Sequence, residues 1–203
     1  VMPCFNEERT LEHAALRVLR SPYTAELVIV DDGSTDRTLE IAKAIDDPRV
    51  RVLTQVPNQG KGAALRAGFA ECTSRFVIIN DADLEYDPAD YERILEPMLD
   101  DRADVVYGSR FLGRHRVFMF THYAGNRFLT LVTNVLYNTM LSDMETCYKV
   151  MRTDVLRSMT LRSNGFGIEP ELTAKIFKRG YRVYEVPITY DGRGYEDGKK
   201  IGW

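Results

Sequence analysis

The sequence is poor in the residues that staple a fold or hold a transition metal. Its 203 residues include three cysteines, three histidines and a single tryptophan. Cys4, Cys72 and Cys147 are scattered with no C-x-x-C pair, which excludes a disulfide framework or a zinc site and reads as reduced thiols in a cytosolic setting. Positive charge is not in surplus either. Lys plus Arg is 27 against 30 Asp plus Glu, a net of -3, so a nucleic-acid binder held by bulk charge is excluded. No apolar run reaches the ~18 residues that a membrane span needs. The longest uncharged stretch, Phe128 to Ser142, is interrupted by Asn134 and Asn138. Signal peptide, repeats, low-complexity segments and linkers are all missing, as are the residues of a catalytic triad or a haem site.

What remains is globular. Hydrophobic residues make up 44% and charged residues 28%, which excludes disordered, collagen-like and coiled-coil classes and leaves enough apolar surface for one full core. The chain opens at Val1 without an initiator Met, at what reads as the close of a strand, and stops at Trp203 just after Lys199 and Lys200. It is therefore expected to be a fragment lacking its native flanks.

Short apolar runs alternate with helical patterns. Val1-Met2 reads as a strand stub, and Asn6 as the N-cap of a helix whose face carries Leu11, Ala15, Val18 and Leu19. Leu27 to Val30 is an unbroken apolar run, as in a strand buried on both faces. A helix over Thr38–Ile45, a strand over Val50–Leu53, a helix over Lys61–Glu71 and a strand over Phe76–Ile79 follow. Asp87-Pro88 starts a helix running to Leu99, and Val105–Tyr107 closes the alternation. Such alternation specifies an α/β fold, a mostly parallel sheet with right-handed crossovers flanked by helices. Beyond Gly108 the spacing predicts a helix over Gly125–Met140, a strand over Tyr148–Met151, a helix over Glu169–Arg179 and a last strand over Val183–Tyr190.

Ligands of such sheets bind outside the carboxyl ends of the strands. Each strand here is followed by polar residues: Pro3 to Glu7, Asp31 to Asp36, Asn58 to Gly62, Asp81 to Glu85, and Gly108 to Arg110. In an extended segment Asp81, Asp83 and Glu85 point the same way, so three hard oxygen donors converge, as Mg²⁺ or Mn²⁺ requires. The alternative is a solvated acidic turn. At Asp31-Asp32-Gly33-Ser34 a carboxylate either accepts hydrogen bonds from a nucleobase or ribose, or caps the next helix. Gly60-Lys61-Gly62 suits the approach of phosphate but is not the G-x-x-x-x-G-K-[ST] loop. Arg110, Arg114, His115, Arg116 and Arg127 are basic residues interleaved with Phe111, Leu112, Val117, Phe118, Met119 and Phe120. That mixture suits a lipid phosphate at a bilayer surface, or else an apolar core with solvated charges. His122 reads as a structural histidine.

In this order the strings resemble family 2 glycosyltransferases of the GT-A fold, in the branch of dolichyl-phosphate mannose synthase and bacterial polyprenyl-phosphate sugar synthases. The strings that carry the likeness are Met2-Pro3-Cys4-Phe5-Asn6-Glu7, Asp31 to Asp36, Asn58 to Ala63, Asp81 to Glu85, Gly108-Ser109-Arg110, Asp143 to Val150 and Glu185 to Ile188. The resemblance covers nearly the whole chain. It implies one GT-A catalytic domain over 1–203, with a nucleotide-sugar-binding half over 1–108 and an acceptor half over 109–203. It places Pro3, Phe5, Glu7 and Asp32 at the base, Lys61 and Asp81 at the ribose and phosphates, and Asp83 on the metal with Asp81 and Glu85. That branch often has Gln where Glu85 stands. It makes Arg110 and Arg127 candidates for the acceptor phosphate and sets Asp143 near the sugar, so Asp83, Asp143 and Arg110 form the catalytic group.

The implied reaction is inverting, Mg²⁺- or Mn²⁺-dependent transfer of a sugar from a UDP- or GDP-sugar to a polyprenyl phosphate at the cytoplasmic face of a membrane, with no nucleic-acid partner. An anionic phosphate acceptor needs positioning more than a base. A sugar hydroxyl would need one, with Asp143 first in line. The alternative is the same family acting on a soluble glycan or small molecule. A nucleotidyltransferase would show a glycine-rich loop after the first strand. A receiver-like signalling module would carry Lys where Gly108-Ser109-Arg110 stands.

Overall fold

A computed structural model describes residues 1–116 and 119–192 of the chain. Val117, Phe118, Lys199, Lys200 and Trp203, named above, lie outside the described residues.

The first half alternates as expected: β1 (Met2–Cys4), α1 (Leu11–Arg20), β2 (Leu27–Asp31), α2 (Thr38–Ala44), β3 (Val50–Thr54), α3 (Lys61–Glu71), β4 (Phe76–Ile78), α4 (Tyr91–Leu99) and β5 (Val105–Ser109). The second half adds α5 (Phe120–Tyr137), β6 (Lys149–Arg152), α6 (Thr153–Arg157), α7 (Ile168–Lys178) and β7 (Val183–Pro187). β1, β2 and β3 form one parallel sheet in the order β1-β2-β3, and a second sheet has the order β4-β6-β5-β7. Val1 stitches the two sheets together. Its amino group donates to the Ile78 carbonyl at 2.8 Å, and its carbonyl accepts the Asn80 N–H at 3.0 Å, the pattern of a parallel pair.

Alternate residues of β2 explain its unbroken apolar run. Leu27 and Ile29 join the core with α1 and α4, while Val28 and Val30 join the core with α3 and α7. The ends of α4 and α5 also follow from their sequence. The Asp87 carboxylate accepts the Ala89 N–H ahead of the short 3-10 turn at Pro88–Asp90, and Asn138 ends α5 in the left-handed conformation (φ 48°).

One expectation is corrected. Asn6 does not cap α1, which starts at Leu11 after Thr10. It sits at φ 52°, a conformation that Asn tolerates, and its side-chain oxygen accepts the Thr35 N–H at 2.8 Å. Asn6 thereby ties the β1 loop to the β2 loop. In the second sheet β5 is not the neighbour of β4. β6 runs antiparallel between them, pairing Val77 with Met151 on one side and Val106 with Val150 on the other. Sequence alternation does not reveal a strand inserted from so far along the chain.

Candidate active site

A cleft of about 730 Å³ opens at the carboxyl ends of the parallel strands. It brings together Pro3, Phe5 and Glu7 after β1, Asp32 after β2, Lys61 at the start of α3, Asp81, Asp83 and Glu85 after β4, and Arg110 after β5. His122 lines it as well, so that residue faces the site. Asp143 and Arg127 do not line it.

The loop ahead of α3 is built by Asp32. Its two carboxylate oxygens accept the backbone N–H groups of Gln59 (2.8 Å) and Gly60 (2.7 Å), and its carbonyl accepts the Asn58 amide at 2.9 Å. Much of the Asp32 carboxylate is thus engaged in shaping the loop. The helix-cap alternative for this turn falls to Asp36 instead, whose carboxylate accepts the Thr38 N–H at 2.9 Å. Gly60 has φ 96° and lies where a Cβ would come 2.6 Å from the Asn164 carbonyl, so the loop packs backbone against backbone.

Lys61 crosses the floor of the cleft. Its Nζ lies 2.8 Å from Asp81 Oδ2, 3.0 Å from Cys147 Sγ and 3.9 Å from Glu169 Oε1. Burial opposes its charge, but the surrounding Asp81, Cys147 and Glu169 outweigh burial and hold the ammonium well above the usual lysine range. The same contact carries Asp81 below the usual carboxylate range despite its burial. Glu169 completes the chain of charges, meeting the fully buried Lys149 at 2.5 Å while its Oε1 has no hydrogen-bond partner.

Asp81, Asp83 and Glu85 are not in extended backbone. Leu84 adopts φ 66°, which breaks the two-residue period and turns the segment. The three carboxylates part company as a result. Asp81 meets Lys61, Glu85 accepts the Tyr190 hydroxyl at 2.5 Å, and Asp83 Oδ1 accepts the Glu85 N–H at 3.1 Å. Among the described residues no group of three or more His, Cys, Asp or Glu side chains forms a metal cage. The donor set nevertheless fits a hard cation of the Mg²⁺ type, which takes one or two carboxylates and completes its shell with water and substrate phosphate.

Arg110 closes the other end. Its Nε and Nη2 bind Asp143 Oδ2 and Oδ1 at 2.7 and 2.8 Å, and its backbone N–H adds a third bond at 3.0 Å. Asp143 is wholly buried behind the arginine. Burial pushes its carboxyl up, but Arg110 outweighs burial and leaves it below the usual range. Asp143, expected near the sugar, stands behind Arg110 and grips it there. Arg127 is exposed, donating to the Ser142 carbonyl at 3.1 Å.

Three cleft residues have no signal in the order of strands. Glu145 and Cys147 lie just before β6, and Glu169 lies at the start of α7. Because β6 is antiparallel, its entry, rather than its exit, meets the cleft. Burial raises the Glu145 carboxyl and the Cys147 thiol above their ordinary values. None of the three cysteines forms a disulfide among the described residues.

α5 borders the cleft through His122, Tyr123, Asn126 and Leu129. Its buried residues are Thr130 and Thr133, whereas Phe120 is 78%, Val135 73% and Leu136 68% exposed. The helix therefore turns its apolar side outward. The described helices include none long and apolar enough to cross a membrane.

Comparison with known proteins accords with this architecture. The profile of glycosyl transferase family 2 matches residues 1–160. An undecaprenyl-phosphate mannosyltransferase of Micrococcus luteus is 29% identical over 216 residues, spanning 100% of this chain and 86% of that protein. A polyprenol monophosphomannose synthase of Mycolicibacterium smegmatis is 30% identical, spanning 100% of this chain and 80% of that protein. Among solved structures, glucosyl-3-phosphoglycerate synthase from Mycobacterium tuberculosis, in complex with Mn²⁺, UDP and glucosyl-3-phosphoglycerate, superposes with a TM-score of 0.76 at 21% identity. That match covers 97% of this chain and 72% of that one, and it establishes the GT-A fold.

Proposed function

The chain belongs to glycosyl transferase family 2 and is a glycosyltransferase, and from that premise we propose that it transfers a sugar from a UDP- or GDP-sugar to a polyprenyl phosphate at a membrane surface, with inversion at the anomeric carbon. One observation carries the choice of acceptor: Arg110, fixed from behind by Asp143, lines a cleft that α5 borders, and the same helix exposes apolar residues, Val135 and Leu136 among them, beyond the cleft. An anionic phosphate meets the cation, and its hydrocarbon tail meets the helix. The exposed Arg114, Arg116 and Arg127 add positive charge in the second half of the chain, which favours an anionic lipid surface.

In this reading residues 1–108 bind the donor and 109–203 the acceptor, as one catalytic domain. Pro3, Phe5 and Glu7 flank the base, and Asp32 shapes the loop that approaches the diphosphate. Asp83 would hold Mg²⁺ or Mn²⁺, with Asp81 and Glu85 beside it, and the ion supplies positive charge toward the departing diphosphate. Lys61 adds a fixed ammonium at the same place. Arg110 through its Nη1, which makes no hydrogen bond to Asp143, orients the acceptor phosphate. A phosphate oxygen of the acceptor forms the new bond to the anomeric carbon while the bond to the nucleotide diphosphate breaks, and the electron pair leaves with the β-phosphate. No proton need be removed from an anionic acceptor, so a buried and ion-paired Asp143 is no obstacle. The relatives' names point to polyprenyl phosphate acceptors.

Release of nucleotide diphosphate, measured with and without undecaprenyl phosphate, tests the reading. Release stimulated by the lipid is expected. Release stimulated only by a soluble glycan or small molecule would favour the alternative acceptor.

A further inference from the structure

Resting on that glycosyl-transfer reading, we propose that Tyr190 is a positioning residue that holds Glu85 and Arg110 in register across the cleft, so that one side chain sets both the metal end and the acceptor end of the site. Tyr190 follows β7 and is 6% exposed. Its hydroxyl donates to Glu85 Oε2 at 2.5 Å. Its ring lies under the Arg110 guanidinium, 5.3 Å from ring centroid to Cζ, and packs edge-on against Tyr86 at 5.2 Å. The main chain fastens the same two regions. The Asp191 N–H donates to the Glu85 carbonyl at 3.0 Å, the Tyr190 N–H donates to the Arg114 carbonyl at 3.0 Å, and the Arg116 N–H donates to the Tyr190 carbonyl at 3.1 Å.

The two ends of this side chain do different work. The hydroxyl holds a carboxylate beside Asp83, and a partner of that kind fixes how a ligating carboxylate is oriented. The π face lies against a planar cation whose Nε and Nη2 edge is held by Asp143, so the ring and the carboxylate both restrain the guanidinium. Because the ring is rigid, the hydroxyl and the face cannot move independently. Glu85, where the branch it resembles often has Gln, thereby acquires a dedicated donor in this chain.

Two variants separate the roles. Tyr190→Phe removes the hydroxyl and keeps the face; Tyr190→Leu removes both. Binding of Mn²⁺ with UDP, and with GDP, is followed by titration calorimetry without acceptor, and KM for undecaprenyl phosphate is measured in the transfer assay. Tyr190→Phe is expected to weaken Mn²⁺-dependent nucleotide binding about tenfold or more, with KM for the lipid unchanged. Tyr190→Leu is expected to show the same weakening together with a rise in lipid KM of roughly three- to tenfold. Thermal unfolding identifies variants that merely fold less well, which lose activity without this split. A Tyr190→Phe protein that binds Mn²⁺ and nucleotide as the parent does would overturn the proposal, as would a Tyr190→Leu protein with an unaltered lipid KM. If the parent binds Mn²⁺ with nucleotide but glycosylates no lipid, the acceptor reading alone falls, and the calorimetry still judges the hydroxyl. If the parent shows no metal-dependent nucleotide binding, both readings fall.

Discussion

Arg110 and Asp143 form a two-point ion pair, with Nε to Oδ2 at 2.7 Å and Nη2 to Oδ1 at 2.8 Å, and the carboxylate lies wholly out of solvent. The planar fork of arginine is what makes this possible, and Asp143 takes up only its Nε and Nη2 edge. Replacing Arg110 with Lys keeps the charge but loses the fork. Arg110→Lys is therefore expected to raise KM for the lipid phosphate about tenfold or more while leaving KM for the donor close to that of the parent. Steady-state kinetics with each substrate varied in turn decide it. Equal effects on both would place Arg110 on the donor.

Removing the carboxylate is expected to cost more stability than replacing the arginine it faces with lysine. Asp143→Ala leaves a partly buried guanidinium without its partner, which costs about 1–3 kcal/mol. Chemical denaturation should show that loss, larger than for Arg110→Lys. An Asp143→Ala protein as stable as the parent would contradict the burial of the pair.

Asp83→Ala removes a carboxylate from an irregular, partly exposed turn, so the fold should survive. Transfer is expected to fall by at least about a hundredfold, since positive charge beside the leaving diphosphate contributes several kcal/mol. Nucleotide release and thermal unfolding, measured on one preparation, check both halves of the prediction. Normal turnover in a folded variant would remove Asp83 from the metal.

The glycine before the lysine and the glycine after it act through the backbone. A Cβ on Gly62 would be driven into the Ser163 carbonyl and lie 2.9 Å from that of Gly165. Gly62→Ala is expected to lower stability by roughly 1–3 kcal/mol and to weaken donor binding. Unfolding midpoints and nucleotide titration measure these effects.

Acid should destabilise the protein in part through Glu26, remote from the cleft. Its partial burial raises the carboxyl, but hydrogen bonds from Ser74 and Thr73 outweigh burial and bring it to about 2. The folded value lies below the ordinary glutamate value of about 4.3, so the contribution is present at neutral pH and is lost as pH falls from ~4.3 toward 2. Glu26→Gln should lower stability at pH 7 and flatten its decline across that window. A parallel decline in the variant would assign the acid sensitivity elsewhere.

The strand-end rule located much of this cleft from sequence because polar loops follow short, mostly apolar strands. Pro3, Phe5, Glu7, Asp32, Lys61, Asp83 and Arg110 all line it. The rule fails where direction reverses: β6 enters, rather than leaves, at the cleft, so Glu145 and Cys147 went unmarked. It fails again where one backbone angle departs from the local pattern. Leu84 at φ 66° disperses three carboxylates whose alternation in sequence promised convergence. Asn6 carries a capping residue's chemistry but uses it on the adjacent loop. Lys149 and Glu169 pair across 20 positions, a distance over which sequence gives no sign of contact.

The apolar side of α5 gives a separate prediction. Val135→Glu with Leu136→Glu should reduce co-sedimentation with anionic lipid vesicles, and leave Mn²⁺-dependent nucleotide binding unchanged, because both side chains face outward. Vesicle binding that persists in the double variant would assign the lipid contact to another surface.

The most direct measurement is transfer of labelled sugar into an organic-extractable product. The protein is mixed with undecaprenyl phosphate and Mn²⁺, and UDP- and GDP-sugars are supplied in turn. Label that enters the lipid phase only with metal, from one nucleotide class, is the predicted result and names the donor as well. Metal-dependent release of nucleotide diphosphate with no label in the lipid phase would contradict the polyprenyl phosphate acceptor.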